Sequence, residues 1–239
     1  MLIKHCDARD GLASLETGSI DLIVCDPHYK NISGGNKNPK APKGILTAND
    51  GDASIRYNHS DIVTYAVDFF RVLKDNAHCY IMTNLKNLFR IKDAFIAAGF
   101  KLHNLLGWKK NTANPNRWYM KNQEYTLFFR KGKPFRINDC GKKSFVTCDE
   151  LPWGDEDELI HEFPNPIGDA KLHPTEKPVG LMRLYIEQSS QSGDIVLDPF
   201  MGSGTTGVAA KQAGREFIGF DIDIEHVMTA CRRLGVMPL

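Results

Sequence analysis

The sequence predicts an α/β protein built on a doubly wound, mixed sheet, and three observations carry that prediction. Apolar runs rich in Ile, Val, Leu and Phe recur along the 239 residues, as they do in strands covered on both faces. Helical patterns lie between several of these runs, the alternation of an open sheet with helices on its two sides. Two runs meet a carboxylate, Asp26 and Asp198, at the strand tips where such a sheet forms its ligand crevice.

The elements follow in order. "SIDLIVCD" (19–26) is the first clear strand. A helical pattern at 61–73 leads to the strand "CYIMTN" (79–84), and a second helix at 87–99 is closed by Gly99. Strands at 105–110 ("LLGWKK") and 125–131 ("YTLFFRK") come next. Pro178 opens a helix over 177–190, since its missing N–H has no partner to lose in a first turn. The strand "DIVLDPF" (194–200), a helix from about 205 to 213 stopped by Gly214, and the strand "EFIGFDI" (216–222) complete the pattern.

Two stretches break this rhythm. Residues 31–59 are rich in Gly, Asn, Pro and Lys, and a loop of that size is expected to be mobile and functional. Residues 133–168 mix Gly, Pro and blocks of both charges, the character of a specificity insertion on a fixed scaffold.

Composition narrows the class. The six cysteines (Cys6, Cys25, Cys79, Cys140, Cys148 and Cys231) include no C-x-x-C pair, so neither a metal site nor a disulfide framework is expected. No run of about 20 apolar residues could span a bilayer, and the expected location is the cytoplasm, away from membranes. The net charge of +1 hides a segregation of charge. Between Lys101 and Lys143 eleven Lys/Arg face only Glu124 and Asp139, while 149–162 holds seven acids and no Lys or Arg. Trp108, Trp118, Tyr119 and Tyr125 interleave the basic segment. That pattern suits a polyanion with stackable bases, and it also suits a solvated face on an ordinary enzyme.

The stretch "DIVLDPFMGSGTTGVAAKQAG" has the form strand, acid, glycine-rich turn, helix. Glycines let the backbone approach a ligand, and the helix start offers free N–H groups. About twenty residues on, Asp221 ends another strand, where an acid can accept hydrogen bonds from ribose hydroxyls. No Gly-Lys-Ser/Thr follows, which disfavours a phosphate-binding P-loop. A nicotinamide site would want a fuller G-x-G-x-x-G without an acid at the strand tip. Asp198 would repel a pyrophosphate but suits a cationic ligand such as S-adenosylmethionine.

Together with "DPHY" (26–29) and "LHPTEKPVGLM" (172–182), this loop resembles the motifs of the DNA amino-methyltransferases, which methylate adenine N6 or cytosine N4. Their tetrapeptide is usually Asp/Asn/Ser-Pro-Pro-aromatic, and Asp26-Pro27-His28-Tyr29 matches three positions of four. The order, tetrapeptide first and glycine loop last, is similar to the permuted β-type subgroup, as is the region 107–132 between them. The resemblance implies one circularly permuted, Rossmann-like methyltransferase domain over 1–239, with 31–59 as a loop on the catalytic side and 133–168 as the target-recognition insertion. It implies S-adenosyl-L-methionine as cofactor. Asp198, Phe200, Gly202, Ser203, Gly204 and Thr205 would wrap its methionine end, with His173, Thr175 and Lys177 closing over them. Asp221 would hold the ribose, Asp7 would lie near the adenine, and Asp26 would border the transferred methyl group.

The same resemblance gives the opening tetrapeptide its chemistry. An exocyclic amine is a poor nucleophile because its lone pair is conjugated into the ring. The Asp26 carboxylate and the Pro27 carbonyl, one on each N–H, would favour the pyramidal, cationic amine of the transition state. Tyr29 would stack on the base once it has left the duplex. His28 is the departure, since proline there would stiffen the turn and remove a donor. The implied reaction is site-specific methylation of adenine N6, because aspartate rather than serine opens the tetrapeptide. The alternatives are cytosine N4 methylation, or a cofactor- and DNA-binding protein weakened by His28. Double-stranded DNA would meet Lys30, Arg56, Lys109, Lys110, Arg117, Trp118 and Lys121. A cognate restriction endonuclease and a second copy of the chain are the protein partners to look for.

Overall fold

The computed structural model describes residues 1–27, 61–114, 119, 121–141, 144–146 and 177–238. Its centre is the strand β2 (Ile20–Cys25), where Leu22 and Val24 pack on one side of the sheet and Ile23 and Cys25 on the other. All four are fully buried, so an unbroken apolar run is what this strand requires.

Helices cover both sides. With Leu22 and Val24 pack Leu181 and Tyr185 of α4 (Val179–Ser189), Ala209 of α5 (Thr205–Gln212), and Val227 and Leu234 of α6 (Ile224–Leu234). The opposite side takes Leu12 of α1 (Ala8–Ala13), Phe69 of α2 (Ala66–Val72) and Phe95 of α3 (Leu85–Ala97). No helix among the described residues is long and apolar enough to cross a membrane.

The remaining strands are β1 (Leu2–His5), β3 (Leu73–Thr83), β4 (Lys101–Asn114), β5 (Lys121–Arg130), β6 (Phe145–Val146), β7 (Ile195–Asp198) and β8 (Glu216–Asp221). Among the described residues they form one eight-stranded sheet in the order β1-β8-β7-β2-β3-β5-β4-β6. From β1 to β3 every pairing is parallel, whereas β5 runs antiparallel to both its neighbours. Only six residues, 115–120, join β4 to β5, and a link that short can join antiparallel strands but not parallel ones. The sheet is therefore mixed, as the sequence predicts.

This order fixes where a ligand can enter. From β7 the chain crosses through α5 to β8 on one side, and from β2 through α2 to β3 on the other. The winding reverses between β7 and β2, and the carboxyl ends at such a point are where an open sheet takes its ligand. Asp198 is the last residue of β7, and Asp26 directly follows β2.

Some expectations need revision. The pattern at 61–73 is a 3-10 turn (Ile62–Tyr65) followed by α2, and Leu73 already belongs to β3. Lys74, Asp75 and Asn76 are exposed, so no apolar alternation marks this part of the strand. Asn76 has φ 63°, and its Oδ1 accepts the Lys133 N–H at 2.9 Å. β1, α1 and α6 are not singled out by the sequence reading, although α6 has both a start and a stop signal. Asp223 caps its start by accepting from Glu225 N at 2.8 Å, and Gly235 ends it in the left-handed region. Residues 31–59 and most of 133–168 lie outside the described residues. The part of the insertion that is described is tied to the scaffold. Asn138 Nδ2 donates to the carbonyls of Glu187 (2.6 Å) and Ser190 (3.0 Å) at the end of α4, and β6 extends the sheet beside β4.

Candidate active site

Four adjacent strands bring four acids to one edge of the sheet. Asp7 follows β1, Asp221 ends β8, Asp198 ends β7 and Asp26 follows β2. Apart from one another in sequence, they are consecutive in space.

The glycine loop is tied to this row. Asp221 is buried, and its Oδ2 accepts the Gly202 N–H at 2.9 Å. Its Oδ1 accepts from Asp223 N at 2.9 Å and meets His226 Nδ1 at 3.3 Å. The hydrogen bond to Asp221 raises the His226 pKa, against the effect of burial. Gly202 (φ 51°) would direct a Cβ into open space, whereas at Gly204 (φ 84°) a Cβ would come within 2.8 Å of Ala230 Cβ. The first glycine leaves room above the loop, and the second lets α5 pack against α6.

Asp198 is only 2% exposed and accepts from Phe200 N at 3.1 Å and Thr206 Oγ1 at 2.6 Å. Burial pushes its pKa up to about 7; these hydrogen bonds oppose the rise, and the charges of Asp26 and Asp221 add to it. Such a carboxylate gains from a cation placed against it. Arg233 of α6 secures the other side of the loop, donating through Nη1 to Ser203 O and Oγ (both 3.1 Å) and Thr205 Oγ1 (3.4 Å). Phe200 meets Tyr65 edge-on at 5.5 Å, and Tyr65 Oη donates to Asp7 Oδ1 at 3.5 Å. Asp7 also caps α1 through Arg9 N at 2.7 Å.

Beside Asp26 the charges alternate. Lys177 Nζ lies 2.7 Å from Asp26 Oδ2 and 3.2 Å from Glu124 Oε2, while Glu124 Oε1 is paired with Lys110. Burial disfavours charge on Lys177, yet the two carboxylates outweigh it and hold its pKa above the usual lysine value. Lys177, expected over the methionine end of a cofactor, thus directs its ammonium to Asp26.

The other expected residues divide into three groups. His28, Tyr29, Lys30, Arg56, Arg117, Trp118, His173 and Thr175 lie outside the described residues. Pro27 is buried behind Asp26, Lys109 is exposed on β4, and Lys121 opens β5. Two residues of the basic segment turn inward. Trp108 is 7% exposed in the core and not a free stacking surface. Lys110, expected on DNA, pairs with Glu124 and lies over the Trp108 ring, 5.6 Å from its centroid. Sequence reasoning missed Tyr65, Glu124, Thr206 and Arg233. Thr206 stands next to the motif and could have been included, but the other three reach the site from distant elements.

The donor set fits S-adenosylmethionine. Asp198 offers a buried anion for a positive centre, Asp221 and Asp7 offer acceptors for hydroxyl and amine groups, and Gly202 leaves space above the loop. The same three carboxylates would repel a polyphosphate.

A family model described as DNA methylase matches residues 20–232. The Type II methyltransferase M2.DpnII of Streptococcus pneumoniae is 31% identical over 245 residues, covering 98% of this chain and 89% of that protein. The Type II methyltransferase M2.MboI of Moraxella bovis is 32% identical over 238 residues, covering 94% and 84%. The crystal structure of the M1.HpyAVI–SAM complex shares the fold, with a TM-score of 0.68, 24% identity, and coverage of 98% of this chain and 99% of that one.

Proposed function

This chain belongs to the N6/N4 DNA methylase family, and from that premise we propose that it methylates the N6 amine of adenine at a specific site in double-stranded DNA. The observation that supports this reading is the placement of Asp26 and Asp198 on neighbouring strand ends where the winding reverses. One acid is suited to a target amine and the other to a cationic cofactor, across a single crevice.

Bound S-adenosyl-L-methionine supplies an electrophilic methyl group on a sulfonium centre. Asp198, Phe200, Gly202, Ser203, Gly204 and Thr205 would hold its methionine end, Asp221 its ribose, and Asp7 its adenine side, with His173 and Thr175 closing the site. The protein's own work lies at the amine. The Asp26 carboxylate and the Pro27 carbonyl accept its two N–H bonds and localise the lone pair, stabilising the cation that develops on nitrogen. Asp26 then takes up the released proton or passes it to water. The base must leave the duplex to reach this crevice, where Tyr29 would stack on it. Aspartate at the first position of the tetrapeptide favours adenine over cytosine. Lys109, Arg117, Trp118 and Lys121 would meet DNA from the β4–β5 side, and 133–168 would contribute recognition of the site. A restriction endonuclease of the same specificity is the natural companion of a Type II enzyme.

The test is direct. Unmethylated genomic DNA is incubated with the protein and S-adenosylmethionine, digested to nucleosides and separated. N6-methyladenine is expected, and N4-methylcytosine would contradict the choice of base. No product from the native chain, with product gained in His28→Pro, would support the weakened binder instead.

A further inference from the structure

We propose that Glu124 is a positioning residue for methyl transfer, acting through Lys177 to hold the Asp26 carboxylate in place for the target amine. The inference rests on the reaction proposed above and assigns a role to a residue outside its motifs.

Glu124 lies on β5 opposite Trp108 of β4, within the basic segment. Its two carboxylate oxygens are divided between two lysines, Oε1 to Lys110 and Oε2 to Lys177. Lys177 in turn is shared between Glu124 and Asp26, and its side chain is only 10% exposed. The line Asp26, Lys177, Glu124, Lys110 therefore alternates minus, plus, minus, plus, and sums to zero.

Two consequences follow for the amine. The first is geometric. An ammonium with a single carboxylate partner is free to swing around it, whereas one held between two carboxylates has a fixed direction. Lys177 can then orient Asp26 only because Glu124 fixes Lys177. The second is electrostatic. In methyl transfer positive charge moves from sulfur onto nitrogen, next to Asp26. A lone lysine beside Asp26 would oppose that charge, and in a poorly solvated crevice the opposition is strong. Glu124 offsets Lys177, so Asp26 keeps its attraction for the developing cation. Glu124 itself stays ionised, because Lys177 and Lys110 overcome the effect of its burial and hold its pKa below the usual value.

The experiment measures single-turnover methyl transfer in the native protein, Glu124→Gln, Glu124→Asp, Lys177→Gln and the Glu124→Gln/Lys177→Gln double variant. Cofactor and DNA affinities and Tm are measured on the same preparations. Misplacing a reacting group by about 1 Å costs on the order of a hundredfold, which sets the loss expected for Glu124→Gln. Affinities for S-adenosylmethionine and DNA should hold, and Glu124→Asp, which keeps the charge, should recover part of the rate. Since Glu124 acts through Lys177, the double variant should be no slower than Lys177→Gln. A native rate in Glu124→Gln overturns the proposal, as do losses that multiply in the double variant. A loss that tracks Tm or cofactor affinity, unrescued by aspartate, also overturns it. Activity in the native protein, with the rate lost in Glu124→Gln while Tm and both affinities hold, supports positioning. Absence of activity in both overturns the reaction, and the positioning role with it.

Discussion

Asp221 and Gly202, nineteen residues apart, are joined by a hydrogen bond of 2.9 Å from the glycine N–H to the carboxylate. The acid that ends β8, proposed to hold the ribose, therefore also fixes the loop that follows β7. Asp221→Ala should weaken S-adenosylmethionine binding by tenfold or more. A hydrogen bond with a charged partner is worth about 1.5–3 kcal/mol, and each ~1.4 kcal/mol is a factor of ten. Titration calorimetry checks this, and unchanged affinity would place the ribose elsewhere.

With Asp198 against the cofactor's positive end, as proposed, cofactor binding should depend on pH. The Asp198 pKa of about 7 lies above the ordinary 3.8, so the unfolded chain ionises first as pH rises. The stability linked to this group is full below about pH 4 and is lost as pH rises through 7. A cation against Asp198 favours the ionised form and offsets that loss. Cofactor affinity should rise about tenfold from pH 6 to pH 8, with a proton released on binding near neutrality. Calorimetry in buffers of different ionisation enthalpy reads that proton. Affinity independent of pH in the native protein, with no proton released, would remove Asp198 from the cofactor's positive end.

The two glycines of the loop should respond differently to alanine. At Gly204 the left-handed backbone (φ 84°) is combined with a 2.8 Å approach to Ala230, while Gly202 carries only the backbone penalty. The backbone penalty alone is about 1–2 kcal/mol. Gly204→Ala should therefore lower Tm more than Gly202→Ala, because α5 and α6 must also separate. Equal Tm values would show that the packing of Gly204 on α6 is not tight.

The sequence makes the scaffold of this site legible because its central strands are buried on both faces. β2 and β7 reveal themselves as apolar runs ending in acids, which points both acids at a ligand crevice, while the strand order is what makes Asp26 and Asp198 neighbours. The antiparallel β4–β5 pair is harder to read, because the apolar runs at 105–110 and 125–131 leave fourteen residues between them and the link is short only once both strands extend toward each other. Side-chain destinations are less legible. Lys110 and Lys109 are neighbours of the same type, yet one turns in to Glu124 and the other faces solvent. Glu124 looks like an isolated acid in a basic segment, and its partner Lys177 is 53 residues away. Net charge and spacing cannot show such a pairing, because it depends on how α4 sits against the strands. Leu73–Ala77 stayed hidden for another reason, since exposed polar residues carry no periodic signal there.

The central claim is that Asp26 acts on the amine, and Asp26→Ala tests it most directly. Single-turnover methyl transfer is measured beside cofactor and DNA affinity on the same preparation. Removing one such electrostatic contact typically costs on the order of a hundredfold to a thousandfold in turnover. Cofactor affinity should change little, because the glycine loop follows a different strand. DNA affinity should also hold, because phosphate contacts dominate it. The account predicts a loss of that size in the chemical step with both affinities retained, and a near-native single-turnover rate in Asp26→Ala would contradict it.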